Sequence, residues 1–132
     1  MKQYLFVYGT LIPELAPFEI AETVKQLKFI GGGFVYGLLY DLGEYPAIIL
    51  QGTHKVFGKV FELPNDEHIL EKIDEYEGFK ANNELESLYL RKQTTVYFND
   101  KKLKSWVYEY NQNLSHFPII ESGNYLENLQ LV

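Results

Sequence analysis

No cysteine occurs anywhere in the chain, which removes disulfide scaffolds, thiolate metal sites and cysteine nucleophiles together. An excess of positive charge is also missing: 12 Lys and Arg against 18 Asp and Glu give a formal net charge of -6. A phosphate backbone is met by a clustered cationic face. The one dense cluster, Lys101, Lys102 and Lys104, falls at an expected hairpin tip where solvation accounts for it, so no nucleic-acid partner is expected. No apolar window reaches the length of a membrane span, and Tyr8-Gly9-Thr10 interrupts the N-terminal apolar run before it could act as a signal segment. The expectation is a soluble, cytoplasmic protein with no membrane partner. His54, His68 and His116 lack the spacing that brings two imidazoles to one metal, and Ser87, Ser105, Ser115 and Ser122 lack a nucleophile elbow. Neither a metal nor a serine nucleophile is expected.

What is present suits one strand-rich domain. The 132 residues can bury roughly two thirds of their unfolded surface, and 16% are aromatic, mostly Tyr and Phe. Tyr4 to Tyr8 reads as a strand buried on both faces and ended by Gly9. Pro17 to Leu27, with Phe18, Ile20, Ala21, Val24 and Leu27 in helical phase, predicts a first helix. Phe29 to Leu39 predicts a strand bent or bulged at Gly31-Gly32-Gly33 and again at Gly37. That triplet lacks the strand, loop and helix context of a phosphate cradle, so a structural role is expected. Ala47 to Leu50 and Val56 to Leu63 predict further strands, and Tyr89 to Phe98 with Leu103 to Tyr110 predicts a hairpin turning at Asn99-Asp100. From about Asn111 the tail reads as irregular.

A second helix, from about Asn65 to Glu77, carries the most telling pattern. Its start has Asn65 or Asp66 as cap, and Gly78 is its stop. With Leu70 set at zero on a wheel of about 100° per residue, Ile73, Ile69 and Tyr76 mark a buried arc at negative angles. Glu67, Glu71, Asp74 and Glu75 fall on the opposite, solvated side. Glu77 falls at about -20°, inside the apolar arc. A carboxylate placed there loses hydration, and its pKa rises toward the range in which it can take and return a proton near neutrality. The other reading is that Glu77, the last residue before Gly78, frays outward into water. The turn Tyr8-Gly9-Thr10-Leu11 supplies a complementary element, because a glycine-containing turn after a strand can present consecutive backbone N–H groups to an oxyanion. A proton carrier facing such a nest is sufficient for acyl transfer without a covalent intermediate.

Val7-Tyr8-Gly9-Thr10-Leu11, Gly37-Leu38-Leu39-Tyr40-Asp41-Leu42-Gly43-Glu44-Tyr45-Pro46-Ala47, Gly58-Lys59-Val60-Phe61, Ile73-Asp74-Glu75-Tyr76-Glu77-Gly78, Tyr89 with Arg91, Val107-Tyr108 and Ser122-Gly123-Asn124-Tyr125 occur in this order. Together they resemble the gamma-glutamylcyclotransferase-like, or AIG2-like, family. The resemblance implies an α/β (α+β) fold with a mixed, mostly antiparallel, barrel-like sheet and two short helices. It implies that the small-molecule substrate is a gamma-glutamyl compound, that the main-chain amides of Gly9, Thr10 and Leu11 hold its gamma-glutamyl unit, and that Tyr8, Tyr45, Tyr89 and Arg91 belong to the substrate site. It implies that Glu77 is the general acid/base, and that the substrate's alpha-amine attacks its own gamma-carbonyl, releasing 5-oxoproline and an amine or amino acid. No cofactor is implied.

One departure stands out. Many members carry Arg or Lys directly after the Tyr-Gly-Thr-Leu turn, and here Ile12 occupies that place. Arg91 is then the candidate cation for a substrate carboxylate, against the alternative that it forms an ion pair. Two other readings stay open: a non-catalytic small-molecule-binding or regulatory module on the same fold, and an enzyme acting on a different amide.

Overall fold

The computed structural model describes residues 2–130. Along the chain run β1 (Tyr4–Val7), α1 (Phe18–Val24), β2 (Lys28–Tyr36), β3 (Leu38–Asp41), β4 (Pro46–Ile49), β5 (Lys55–Glu62), α2 (Glu67–Glu77), a 3-10 turn at Glu84–Glu86, β6 (Tyr89–Phe98), β7 (Lys101–Tyr110) and α3 (Tyr125–Gln130). Five strands close a barrel in the order β1-β5-β2-β6-β7, while β3 and β4 form a separate two-stranded sheet. All barrel pairings are antiparallel except the closing one, in which β1 meets β7 in parallel with Leu5 opposite Trp106. The expected mixed, mostly antiparallel barrel is therefore the observed fold.

Strand periodicity divides the core in two. Phe6, Val35, Val56, Val60, Val96 and Val107, from all five barrel strands, point inward and are almost wholly buried. Their neighbours in sequence point outward, and where α1 and α2 cover the barrel those positions are apolar too. Leu5, Val7 and Phe61 pack there against Ile20, Val24, Ile69 and Ile73. This explains why Tyr4 to Tyr8 reads as a continuous apolar run: β1 has core on both faces.

Several expectations need correction. The first helix is shorter than expected, and Phe18 at its start is 94% exposed, so it is no part of the packed face. The bulge in β2 falls between Phe29 and Gly31, but the strand stops at Tyr36 instead of continuing to Leu39. Gly37 is the break: a Cβ there would lie 2.7 Å from the Ile49 carbonyl oxygen, and its N–H donates to His54 O at 2.8 Å. Beyond it β3 turns away to pair with β4.

The tail is ordered, where an irregular course was expected. Ile119 bridges Tyr40, Asp41 N–H donates to Pro118 O at 2.9 Å and Ile120 N–H to Leu39 O at 2.7 Å. α3 then follows as a third helix where two were expected. Asn124 caps it, accepting from Glu127 N–H at 3.0 Å. No helix among the described residues is long and apolar enough to cross a membrane.

Candidate active site

Three segments converge at one end of the barrel. The first is the turn after β1. Ile12 N–H donates to Gly9 O at 2.9 Å and closes it. None of the amides of Gly9, Thr10 and Leu11 donates to a backbone acceptor among the described residues, which leaves three consecutive donors for an anion or oxyanion. Gly9 is needed for a different reason from the one expected. Its φ is not positive; instead a Cβ would lie 2.5 Å from Pro46 Cγ, so only glycine lets this ring pack on the turn. Ile12 is buried in the core and places no cation directly after the turn.

The second segment is the end of α2. Asp66 caps the start by accepting from His68 N–H at 3.0 Å. At the other end Gly78 adopts φ 74°, and the N–H groups of Gly78 and Phe79 return to Glu75 O and Asp74 O. This double closure is the stop that glycine permits and other residues resist. It holds Glu77 as the last helical residue and keeps it from fraying into water. Tyr76 donates its hydroxyl to Thr10 Oγ1 at 3.1 Å, which ties the helix end to the turn.

The third segment comprises the turn before β4, with Tyr45 and Pro46, and the barrel strands that carry Tyr89 and Tyr108. Together the three enclose a cavity lined by Phe6, Val7, Tyr8, Gly9, Thr10, Leu11, Tyr45, Pro46, Glu77, Tyr89 and Tyr108. The expected residues Tyr8, Gly9, Thr10, Leu11, Tyr45, Glu77 and Tyr89 are thus brought together. Within it, about 20 Å³ is open to the centre of a water-sized sphere, room for one water.

The phenols around Glu77 have their hydroxyls committed to other acceptors. Tyr8 donates to Tyr108 O, Tyr89 to Pro46 O at 2.8 Å, and Tyr108 to Asp74 Oδ1 at 2.7 Å. Desolvation raises the pKa of Tyr8, Tyr89 and Tyr108, and the nearby Glu77 carboxylate raises each further. They remain neutral rings that exclude water. Glu77 is half-buried with no cation beside it, and desolvation pushes its carboxyl up to about 8. The arrangement can exchange a proton near neutral pH beside free backbone donors.

Arg91 is not among the residues lining this cavity. Its Nε donates to Asp74 Oδ1 at 2.7 Å, and its guanidinium lies 4.3 Å from the Trp106 ring centroid. The ion-pair alternative describes its observed position. Asp74, expected on the solvated side of α2, is instead drawn inward by Arg91 and Tyr108, with its side chain only 16% exposed. Tyr108 and Pro46 were missed as cavity residues. The signal for Tyr108 was its place two positions before the end of β7, on the same outward phase as Trp106; Pro46 offered its position directly after Tyr45.

The model of the family "Gamma-glutamyl cyclotransferase, AIG2-like" matches residues 5–127, and the chain belongs to that family. Among solved structures, YkqA from Bacillus subtilis superimposes with a TM-score of 0.76 at 22% identity, covering 99% of this chain and 42% of that one; the chain thus spans less than half the length of YkqA. An AIG2-like protein from Mus musculus gives a TM-score of 0.71 at 21% identity over 91% of this chain and 86% of the other. A protein named gamma-glutamyl cyclotransferase gives 0.61 at 16% identity over 90% and 70%. At these identities the likeness is one of fold. No curated protein matches the chain.

Proposed function

We propose that the protein cyclises small gamma-glutamyl compounds, releasing 5-oxoproline and the amine or amino acid attached through the gamma-amide. The observation that carries this reading is Glu77, an unpaired carboxyl raised to about 8, in one cavity with the free amides of Gly9, Thr10 and Leu11.

The parts match the steps. The substrate's alpha-amine attacks the gamma-carbonyl carbon and forms the new C–N bond of the ring. Glu77 accepts the proton that the amine sheds. Backbone donors of the turn take up the charge on the tetrahedral oxygen. Glu77 then gives the proton to the leaving nitrogen as the gamma-amide bond breaks. Nucleophile and electrophile share one molecule, so the pocket needs only to fold the substrate. The cavity holds one water-sized group as it stands. Arg91, placed by the resemblance in the substrate site, acts in this reading through Asp74, by fixing the helix that carries Glu77.

The test is release of 5-oxoproline, followed by mass spectrometry, from a panel of gamma-glutamyl amines and gamma-glutamyl amino acids. Product that disappears in Glu77→Gln supports the reading and ranks the leaving groups. A folded wild-type protein that yields none from any member of the panel would overturn turnover and leave the family fold as a binding module.

A further inference from the structure

The small sheet of β3 and β4 stands outside the barrel ladder, and among the described residues no backbone-to-backbone hydrogen bond joins β4 to a barrel strand. Yet β4 supplies one wall of the cavity, since Pro46 begins the strand and Tyr45 precedes it. Side chains fasten it instead. At its start Tyr89 donates to Pro46 O at 2.8 Å, and the Pro46 ring packs on Gly9. At its far end Leu50 lies just past the last β3 pair, Leu38 with Ile49. A backbone donor left half-buried there needs an acceptor, and the Leu50 N–H donates to Glu109 Oε2 at 2.7 Å.

Glu109 is a carboxylate that the proposed reaction does not use. It follows Val107 by two residues on β7, so it lies on the face turned to the barrel interior, and its side chain is 12% exposed. Its second oxygen, Oε1, pairs with Lys92 Nζ at 2.6 Å. Lys92 stands opposite Val107 on β6, a diagonal neighbour of Glu109. The carboxylate is thus held on one oxygen by a cation and offers the other to the strand end, and a charged acceptor makes the stronger kind of hydrogen bond. Glu109 does not line the cavity, but it is close: its charge adds to the rise in the Tyr8 pKa, after desolvation and the Glu77 carboxylate.

We propose that Glu109 is a positioning residue of the candidate active site: by holding the far end of β4 it sets where Pro46 and Tyr45 stand against the turn at Gly9. A strand of four residues runs about 13 Å and is paired along its whole length with β3, so a displacement at Leu50 is carried to Pro46. The wall that moves faces the Gly9 turn and Glu77 across the cavity. The inference rests on reading that cavity as the substrate site. Because Glu109 reaches neither Glu77 nor the turn amides, its loss weakens the binding of substrate and transition state alike, which raises KM and leaves kcat in place.

The experiment compares the full-length wild type with two mild variants that separate reach from charge. Glu109→Asp keeps the charge and draws the acceptor back by one methylene, whereas Glu109→Gln keeps an oxygen at the same reach and removes the charge. Steady-state 5-oxoproline release is expected to show KM raised about tenfold in Glu109→Asp with kcat within about threefold, and both constants within about threefold of wild type in Glu109→Gln. An unchanged KM in Glu109→Asp, a Glu109→Gln variant as impaired as Glu109→Asp, or a loss carried by kcat with KM kept overturns the positioning role. If the wild type releases no 5-oxoproline from any substrate, the proposed function falls and the Glu77 titration, followed by 13C NMR, decides this inference instead. A displaced wall admits water, so Glu109→Asp is expected to lower the Glu77 midpoint from about 8 by about one pH unit or more, and Glu109→Gln to change it less. A midpoint in Glu109→Asp equal to that of the wild type then overturns the role.

Discussion

Asp74 and Glu77 lie one turn apart on α2, both half-buried, and they differ in what reaches them. Asp74 receives the Nε of Arg91 and the hydroxyl of Tyr108, each at 2.7 Å. Glu77 has four tyrosines around it, Tyr8, Tyr76, Tyr89 and Tyr108, and every one of those hydroxyls is bonded elsewhere. Burial alone therefore does not separate a structural carboxylate from a proton carrier. The separation lies in the partners: satisfied charge fixes a helix, whereas unsatisfied charge is pushed toward the neutral form. A helix wheel places residues on faces but does not show which donors the barrel brings to them.

The contrast is broken most severely at Glu77. Glu77→Gln should leave the fold intact and lower 5-oxoproline release by about a thousandfold, within the usual worth of a general acid/base. Gly9→Ala comes next, because its methyl group would lie within 2.7 Å of two Pro46 ring carbons. Displacement of the turn should reduce kcat by about a hundredfold and lower stability by about 1–3 kcal/mol, measurable together by steady-state kinetics and urea unfolding. Asp74→Ala should strand Arg91 and the Tyr108 hydroxyl. Because the pair keeps 19% and 16% side-chain exposure, a cost of about 2 kcal/mol in urea unfolding is expected, below that of a fully buried pair, with turnover kept within about tenfold.

A subtler effect at Glu77 depends on pH. The folded pKa of Glu77 is raised, so below its ordinary value of 4.5 both folded and unfolded states hold the proton and no penalty arises. Between 4.5 and about 8 the unfolded chain ionises while the folded protein stays protonated, and stability falls by up to roughly 1.4 kcal/mol per pH unit. Glu77→Gln should accordingly be more stable than the wild type above this window and equal to it below, when thermal melts are compared across the range. The smallest expected effect is outside the cavity: Lys55→Glu, at an exposed position, should leave 5-oxoproline release unchanged.

Much of the site was legible in the sequence, and the reasons are local. Glu77 could be placed because its helical phase and the Gly78 stop are both properties of one short segment. The turn at Gly9 was visible because glycine ends an apolar run, although the need for it comes from Pro46, 37 positions away in sequence and invisible to local reading. Asp74 was assigned to solvent for the same reason: its partners come from β6 and β7, 17 and 34 residues distant. The tail was read as irregular because few of its side chains are buried and its strand-like stretch gains definition only beside Tyr40. Asn124 followed three positions later by Glu127 was a helix-start signal that went unused.

The most direct measurement is the titration of the Glu77 carboxyl carbon by NMR, using 13C-labelled glutamate and Glu77→Gln to assign the signal. A midpoint near 8 is expected for an unpaired carboxyl walled in by committed phenols. A midpoint near the ordinary 4.5 would mean that water or a donor reaches Glu77 in solution, and would contradict its role as the proton carrier.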